Sequence, residues 1–264
     1  MSAIGLAVRA SSMEDHFVTT LVGALADRLI AARMMLVTRV VADDAAEDHL
    51  YRHWAQVGGV AGVALLGTRP DDARVRRLRT LGYPVAAVVD TLQTDDVPSV
   101  VVDLEASVAA LRAFLAGRRH GRAVYVVAHE DQDSAPARSV LESTAMGDSF
   151  EVVHAPPGVD AAVAAALAAL AAGPATLVFH SDVHAAAALS ALRARGVRVP
   201  DDVAIVSWTN STLCQSTNPS ITAVNRRGAE IGALLGDRML GALTGDTATI
   251  DRAPEPFVVV GETA

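Results

Sequence analysis

Most side chains here that could do chemistry stand directly behind short apolar runs. In "VPDDVAIVSWTNS" (199–211), the run 203–206 gives way at once to Ser207, Trp208, Thr209, Asn210 and Ser211. The same placement recurs at Arg9 in "RASS" (9–12), at Asp90, at His129-Glu130 and at His180-Ser181-Asp182. These are hydrogen-bonding and charged groups with one aromatic, a set suited to holding a polar solute. A hydrogen bond to a charged partner contributes about 1.5–3 kcal/mol, and a planar guanidinium can bind two oxygens at once.

Catalytic and metal chemistries find less support. His180 and His184, and His49 and His53, are each four apart, a spacing that can seat a metal on a helix face. Neither pair carries a zincin glutamate or an obvious third ligand, so no metal and no cofactor is expected. "GGVAG" (58–62) precedes an apolar run instead of following one, and no G-x-S-x-G elbow occurs. The single cysteine, Cys214, excludes an internal disulfide and fits a reducing compartment. All 22 basic residues are arginines, which removes Schiff-base, P-loop and general-base lysines. The net charge of −8 argues against this chain gripping nucleic acid by itself. No apolar run reaches the roughly 18 residues of a membrane span, and the opening "MSAIGLAVRASS" lacks the parts of a secretion signal. The expected location is cytoplasmic, and the expected class is not an enzyme.

Elements must position these groups, and the pattern that supplies them is repetitive. "AIGLAV" (3–8), 34–41, 60–67 and 83–90 are apolar strands, alternating with helical stretches. The first helix has apolar residues at 17, 18, 21, 22, 25, 29 and 30, one face of a 3.6-residue period. Asp43 or Asp44 caps the second, and the third runs from Pro70 to Gly82. Beyond a loop at 91–99 the alternation resumes: strand 99–103, helix 104–117, strand 123–127, a weak helix about 135–145, and strand 150–155. Helix 159–172, strand 175–180, helix 183–195, strand 203–206, strand 220–224, helix 226–243 and strand 255–261 complete it. Strict alternation with nearly all-apolar strands means parallel sheets covered on both faces. About a dozen strands is many for one open sheet, so two sheets are expected. In such sheets, ligands sit beyond the carboxyl ends of the strands.

With these elements in place, the sequence resembles the lactose/galactose-repressor family of bacterial transcriptional regulators. The likeness is carried by 175–211, by 218–243 with "PSITAV" and a helix containing "IG", and by the opening 4–25. The stretch 100–127 also fits, with Leu104 and Ser107 where the family has Asn and Gly. Order along the chain, more than any single motif, makes the match. The resemblance implies an α/β fold of two Rossmann-like lobes with parallel sheets, like periplasmic binding proteins of type I. Three crossovers would give lobes of 3–101 plus 228–254 and 102–227 plus 255–262.

It also implies site residues. Asp90 matches a ligand-binding Asp after the fourth strand, and Arg138 in "SAPARSVLES" matches an Arg, with Leu141 in place of the following Gly. Ser181-Asp182 stands where the family has Asn-Asp, and Thr209, after Trp208, stands where it has a second Asp. Phe17 matches the phenylalanine of an Asn-Pro-Phe motif, here with Asp15 and His16 before it. Arg9 ends the first strand, and Arg226 sits at the third crossover. Five of these have a plainer alternative: Asp90 as a loop cap, Asp182 as a helix cap, Trp208 and Phe17 as core, and Arg138 as part of the least regular segment. A threonine hydroxyl cannot replace a carboxylate that accepts two sugar hydroxyls. With Arg9, Arg138 and Arg226 added, the pocket points to a sugar derivative bearing a carboxylate or phosphate.

The function implied is effector sensing and homodimerisation in a DNA-binding regulator. Such regulators carry a helix-turn-helix ahead of the first strand. Here that strand begins at residue 3, so DNA contact is expected only through a head outside this chain. A solute-binding protein of a transporter is the alternative, told apart by what lies upstream of Met1. An α/β enzyme has only fold class in its favour.

Overall fold

The computed structural model describes residues 2–69, 71–90, 97–116, 121–127 and 150–264. They divide into two compact units: Met1–Asp103 with Arg227–Pro254, and Leu104–Arg226 with Glu255–Ala264. The weak helix expected at about 135–145 lies outside the described residues.

Unit 1 runs β1 (Ala3–Arg9), a 3-10 turn (Ser11–Glu14), α1 (His16–Ala31), β2 (Met35–Val41), α2 (Asp44–Val57), β3 (Gly62–Thr68), α3 (Ala73–Thr80), β4 (Val85–Val89) and β5 (Ser99–Val101). Unit 2 follows with α4 (Leu104–Ala116), β6 (Ala123–Val127), β7 (Phe150–His154), α5 (Val159–Ala171), β8 (Thr176–Phe179), α6 (Asp182–Arg193), β9 (Ala204–Ser207), α7 (Thr212–Ser216) and β10 (Thr222–Asn225). The chain then returns to unit 1 as α8 (Gly228–Leu243) and β11 (Ile250–Arg252), and ends in unit 2 as β12 (Phe257–Val259).

Each unit holds one sheet, ordered β11-β5-β4-β3-β1-β2 in unit 1 and β12-β10-β9-β8-β6-β7 in unit 2. Among the described strands every pairing is parallel except β10 with β12. Strand residues alternate between faces, and both faces are buried along inner strands such as β4, β6, β8 and β9, while the edge strands β2 and β7 stay partly exposed. In unit 2, Val124, Val126, Leu177 and Phe179 pack against α5 and α6, while Tyr125, Val127, Val178, Val206 and Trp208 pack with Val108 and Leu111 of α4. In unit 1, Ile4, Leu6 and Val8 meet α1 and α8, and Val63, Leu65 and Val89 meet Tyr51 and Trp54 of α2 and Val75 and Leu78 of α3.

Two close approaches explain glycines. A Cβ on Gly5 would lie 2.5 Å from the Trp54 ring, so its absence lets that ring rest on β1. On α8, a Cβ would lie 2.9 Å from the Phe17 carbonyl oxygen at Gly228, 2.1 Å from the Leu21 carbonyl oxygen at Gly232 and 2.7 Å from Arg28 Cγ at Gly236. The four-residue spacing makes a groove along which α1 lies.

Caps are local. Asp43 accepts the Ala46 N–H at 2.8 Å and starts α2, and Asp72 accepts the Arg74 N–H at 2.8 Å and starts α3. The final residues are stitched to unit 2: Thr263 Oγ1 donates to the Ile205 carbonyl at 2.7 Å and accepts the Thr222 N–H at 3.0 Å. Among the described residues, no helix is long and apolar enough to cross a membrane.

Candidate functional site

The order of unit 2's sheet sets β10, β9, β8 and β6 side by side, so the residues behind them gather at one edge. Behind β9, Trp208 is fully buried. Its ring meets Tyr125 of β6 edge-on, with centroids 6.3 Å apart. The Arg226 guanidinium, behind β10, lies 5.6 Å from the centroid of the Trp208 ring, and its Nη2 donates to Thr209 Oγ1 at 3.0 Å. A cation over an aromatic face contributes about 0.5–2 kcal/mol, more as water is excluded. The Tyr125 hydroxyl and His180 Nδ1, behind β8, are 2.7 Å apart. Trp208 thus packs as the centre of a polar-aromatic group instead of standing open as a shelf. Its Nε1 has no hydrogen-bond partner among the described residues.

The backbone after Trp208 is also fixed. Ser207 Oγ donates to the Thr209 carbonyl at 2.8 Å and accepts the Thr209 N–H at 3.2 Å. Ser211 caps α7 by accepting the Cys214 N–H at 3.2 Å. Burial pushes the Cys214 thiol above its ordinary range, so it stays protonated and poorly reactive near neutrality. The polar run of 207–211 therefore serves two purposes: Ser207 and Ser211 tie the turn, and Thr209 anchors Arg226.

Behind β8, Ser181 occupies the cap position of α6 without a side-chain bond. Asp182 is the first helical residue, buried, with Oδ1 accepting the Val183 N–H at 2.9 Å. A carboxylate at a helix start is favoured by the helix dipole.

In unit 1, Arg9 ends β1 and pairs through Nη2 with Asp44 and, at 3.1 Å, with Glu47 Oε2. Glu47 is 3% exposed. Its Oε1 accepts the Tyr51 hydroxyl and lies 3.6 Å from Arg74 Nη1. Arg74 also grips Asp72 at 2.8 Å and donates to the Leu66 and Gly67 carbonyls at 3.3 and 3.2 Å, where β3 ends. Burial and the Glu47 carboxylate push Tyr51 far above its usual range. Burial alone would raise Asp72, but its bonds from Arg74 outweigh this and hold it low. Sequence reasoning missed this group. The available signal was Glu47, four before Tyr51 and seven before Trp54, a carboxylate set in an apolar helical stripe.

Phe17 is half-buried at the start of α1 and lies against Gly228. Asp90 is half-buried at the end of β4. Arg138, with His129 and Glu130, lies outside the described residues. Unit 2's edge therefore assembles Ser181, Asp182, Trp208, Thr209 and Arg226, adding Tyr125 and His180, while Arg9, Phe17 and Asp90 belong to unit 1. Among the described residues no group of three metal-ligating side chains occurs.

The sequence model of the family described as periplasmic binding protein-like domain matches residues 112–264, more than half of the chain. The chain belongs to this family. Proteins similar in sequence are regulators: the HTH-type transcriptional regulator CelR of Thermobifida fusca is 44% identical over 68 residues, 24% of this chain and 20% of that protein. The HTH-type transcriptional repressor CytR of Escherichia coli K12 is 40% identical over 77 residues, 27% of this chain and 23% of that protein. The matched segments thus span about a fifth of these relatives' lengths.

The fold is shared at full length. A LacI family transcriptional regulator from Bifidobacterium animalis superposes with a TM-score of 0.84 at 24% identity, over 99% of this chain and 97% of that one. A CelR–cellobiose complex superposes with a TM-score of 0.81 at 22% identity, over 100% of this chain and 85% of that one. The likeness to the lactose/galactose-repressor family and the two-sheet α/β fold are both borne out.

Proposed function

We propose that this chain is the effector-sensing and dimerisation domain of a bacterial DNA-binding transcriptional regulator, located in the cytoplasm. Its effector is a small sugar or sugar derivative. The observation that carries the reading is the fixed polar-aromatic group at the carboxyl edge of unit 2's sheet, in a chain whose sequence relatives are HTH-type regulators. Arg226 and His180 supply directional polar contacts there, beside a rigid aromatic floor, the composition expected of a small-solute site. The candidate ligand-binding residues are Ser181, Asp182, Trp208, Thr209 and Arg226 in unit 2 and, each taken by itself, Arg9, Phe17 and Asp90 in unit 1; Arg138 is a candidate from the sequence alone. No residue is assigned a catalytic role, and no cofactor or metal is invoked.

DNA contact falls to a helix-turn-helix outside this chain, because 22 arginines are outnumbered by 30 acidic residues. The effector alters DNA affinity only by binding one arrangement of the domain better than another. Pairing of two copies places two DNA heads on one operator, which is why a homodimer is part of the proposal.

A thermal-shift screen against sugars, sugar acids, sugar phosphates, purines and organic acids tests the reading. A true effector at a hundredfold excess over its Kd stabilises by about 2.7 kcal/mol. Silence across the sugars and their derivatives would remove sugar sensing. A mass of one copy by light scattering at micromolar concentration would remove the dimer.

A further inference from the structure

Arg9 has two acidic partners of very different standing. The Asp44 side chain is 93% exposed and that of Glu47 is 4% exposed. Glu47 is locked: it takes the Tyr51 hydroxyl as well as Arg9, and Arg74 stands 3.6 Å away. Removing one partner from such a buried set is costly. Asp44 meets Arg9 from an almost fully exposed position, where an ion pair is weak because water screens both charges. Among the described residues, Arg9 uses Nη2 alone for both partners. Its Nε and Nη1 keep their N–H donors, and a guanidinium presents these in a fixed fork that matches an oxyanion.

We propose that Arg9 is an oxyanion-binding group, oriented by Glu47 and screened by Asp44, whose carboxylate an incoming carboxylate or phosphate displaces. Glu47 is a positioning residue: it holds the guanidinium at the end of β1 without meeting the ligand. Asp44 is an internal competitor that keeps the charge paired while the site is empty. The inference rests on the solute-sensing reading above and deepens it by giving the effector an anionic group.

The test titrates the chain with inorganic phosphate at constant ionic strength set by chloride, following thermal stability and heat. Wild type should show saturable stabilisation. Asp44→Asn should tighten phosphate binding about threefold, the scale of one exposed ion pair. Arg9→Gln should abolish it. A gain of affinity in Asp44→Asn is a result that damage to the fold does not produce. No saturable binding by wild type, an unchanged Kd in Asp44→Asn, or binding that survives Arg9→Gln would each overturn the inference. Cellobiose titrated in parallel separates the two claims. A response to cellobiose but not phosphate sinks only the oxyanion group. A response to phosphate, with silence across the sugar screen, sinks only sugar sensing.

Discussion

Residues that the sequence offered as ligand contacts divide by what already holds them. Trp208 was open to two readings, shelf or core, and its complete burial decides for a structural floor on which Arg226 is laid. Trp208→Ala should therefore cost about 3–5 kcal/mol in urea unfolding, the usual loss for a buried large aromatic. Asp182 was weighed as a helix cap, and the cap position proved to be its neighbour Ser181. Such one-residue differences are hard to read, because Ser and Asp both satisfy helix-start rules. Glu47 was invisible for a different reason: its role depends on Arg9 and Arg74, which lie 38 residues before and 27 after it. Its partner Tyr51 yields a pH prediction. Burial raises the folded-state pKa of Tyr51 above its unfolded value near 10, so above pH 10 the unfolded chain releases a proton that the folded chain retains. Stability from this group is full below pH 10 and falls by about 1.4 kcal/mol per pH unit above it. Denaturant titrations from pH 9 to 11 should show this slope in wild type and a shallower one in Tyr51→Phe.

Elements with a clear period were legible, and short ones were not. The apolar stripe at 17, 18, 21, 22, 25 and 29 fixed α1, and near-continuous apolar runs fixed the inner strands. The three-residue β11 carries Asp and Arg in its middle and end, and α7 spans five residues, so neither has a periodicity to detect. Its cap Ser211 was the only local sign of α7. The order of strands was not legible, since apolar runs say which segments are buried from water and not which strand pairs with which. Glycines on helices separate the two roles of that residue. At Gly232, a Cβ would meet the Leu21 carbonyl oxygen at 2.1 Å, so Gly232→Ala should push α1 from α8 and cost about 1–3 kcal/mol. At exposed Gly23 in α1, nothing lies within 4 Å of such a Cβ, so Gly23→Ala should gain about 0.5–1 kcal/mol. Chemical denaturation of the pair reads both signs.

At the scale of the whole molecule, the chain is a pair of largely parallel-sheet units sharing its fold with a LacI family transcriptional regulator and a CelR–cellobiose complex, and it carries a net charge of −8. Composition excluded lysine chemistry and an internal disulfide outright, but it carried no sign of a particular solute. On the proposed function, that choice falls to a few groups at strand ends, whose positions depend on the fold. The central proposal is that the edge of unit 2's sheet contacts a small solute through Arg226. Isothermal titration of the best sugar or sugar derivative from the screen, into wild type and Arg226→Met, tests it most directly. Loss of a hydrogen bond to a charged donor, about 1.5–3 kcal/mol, should weaken binding at least about tenfold. An unchanged Kd in a folded Arg226→Met variant would contradict the claim.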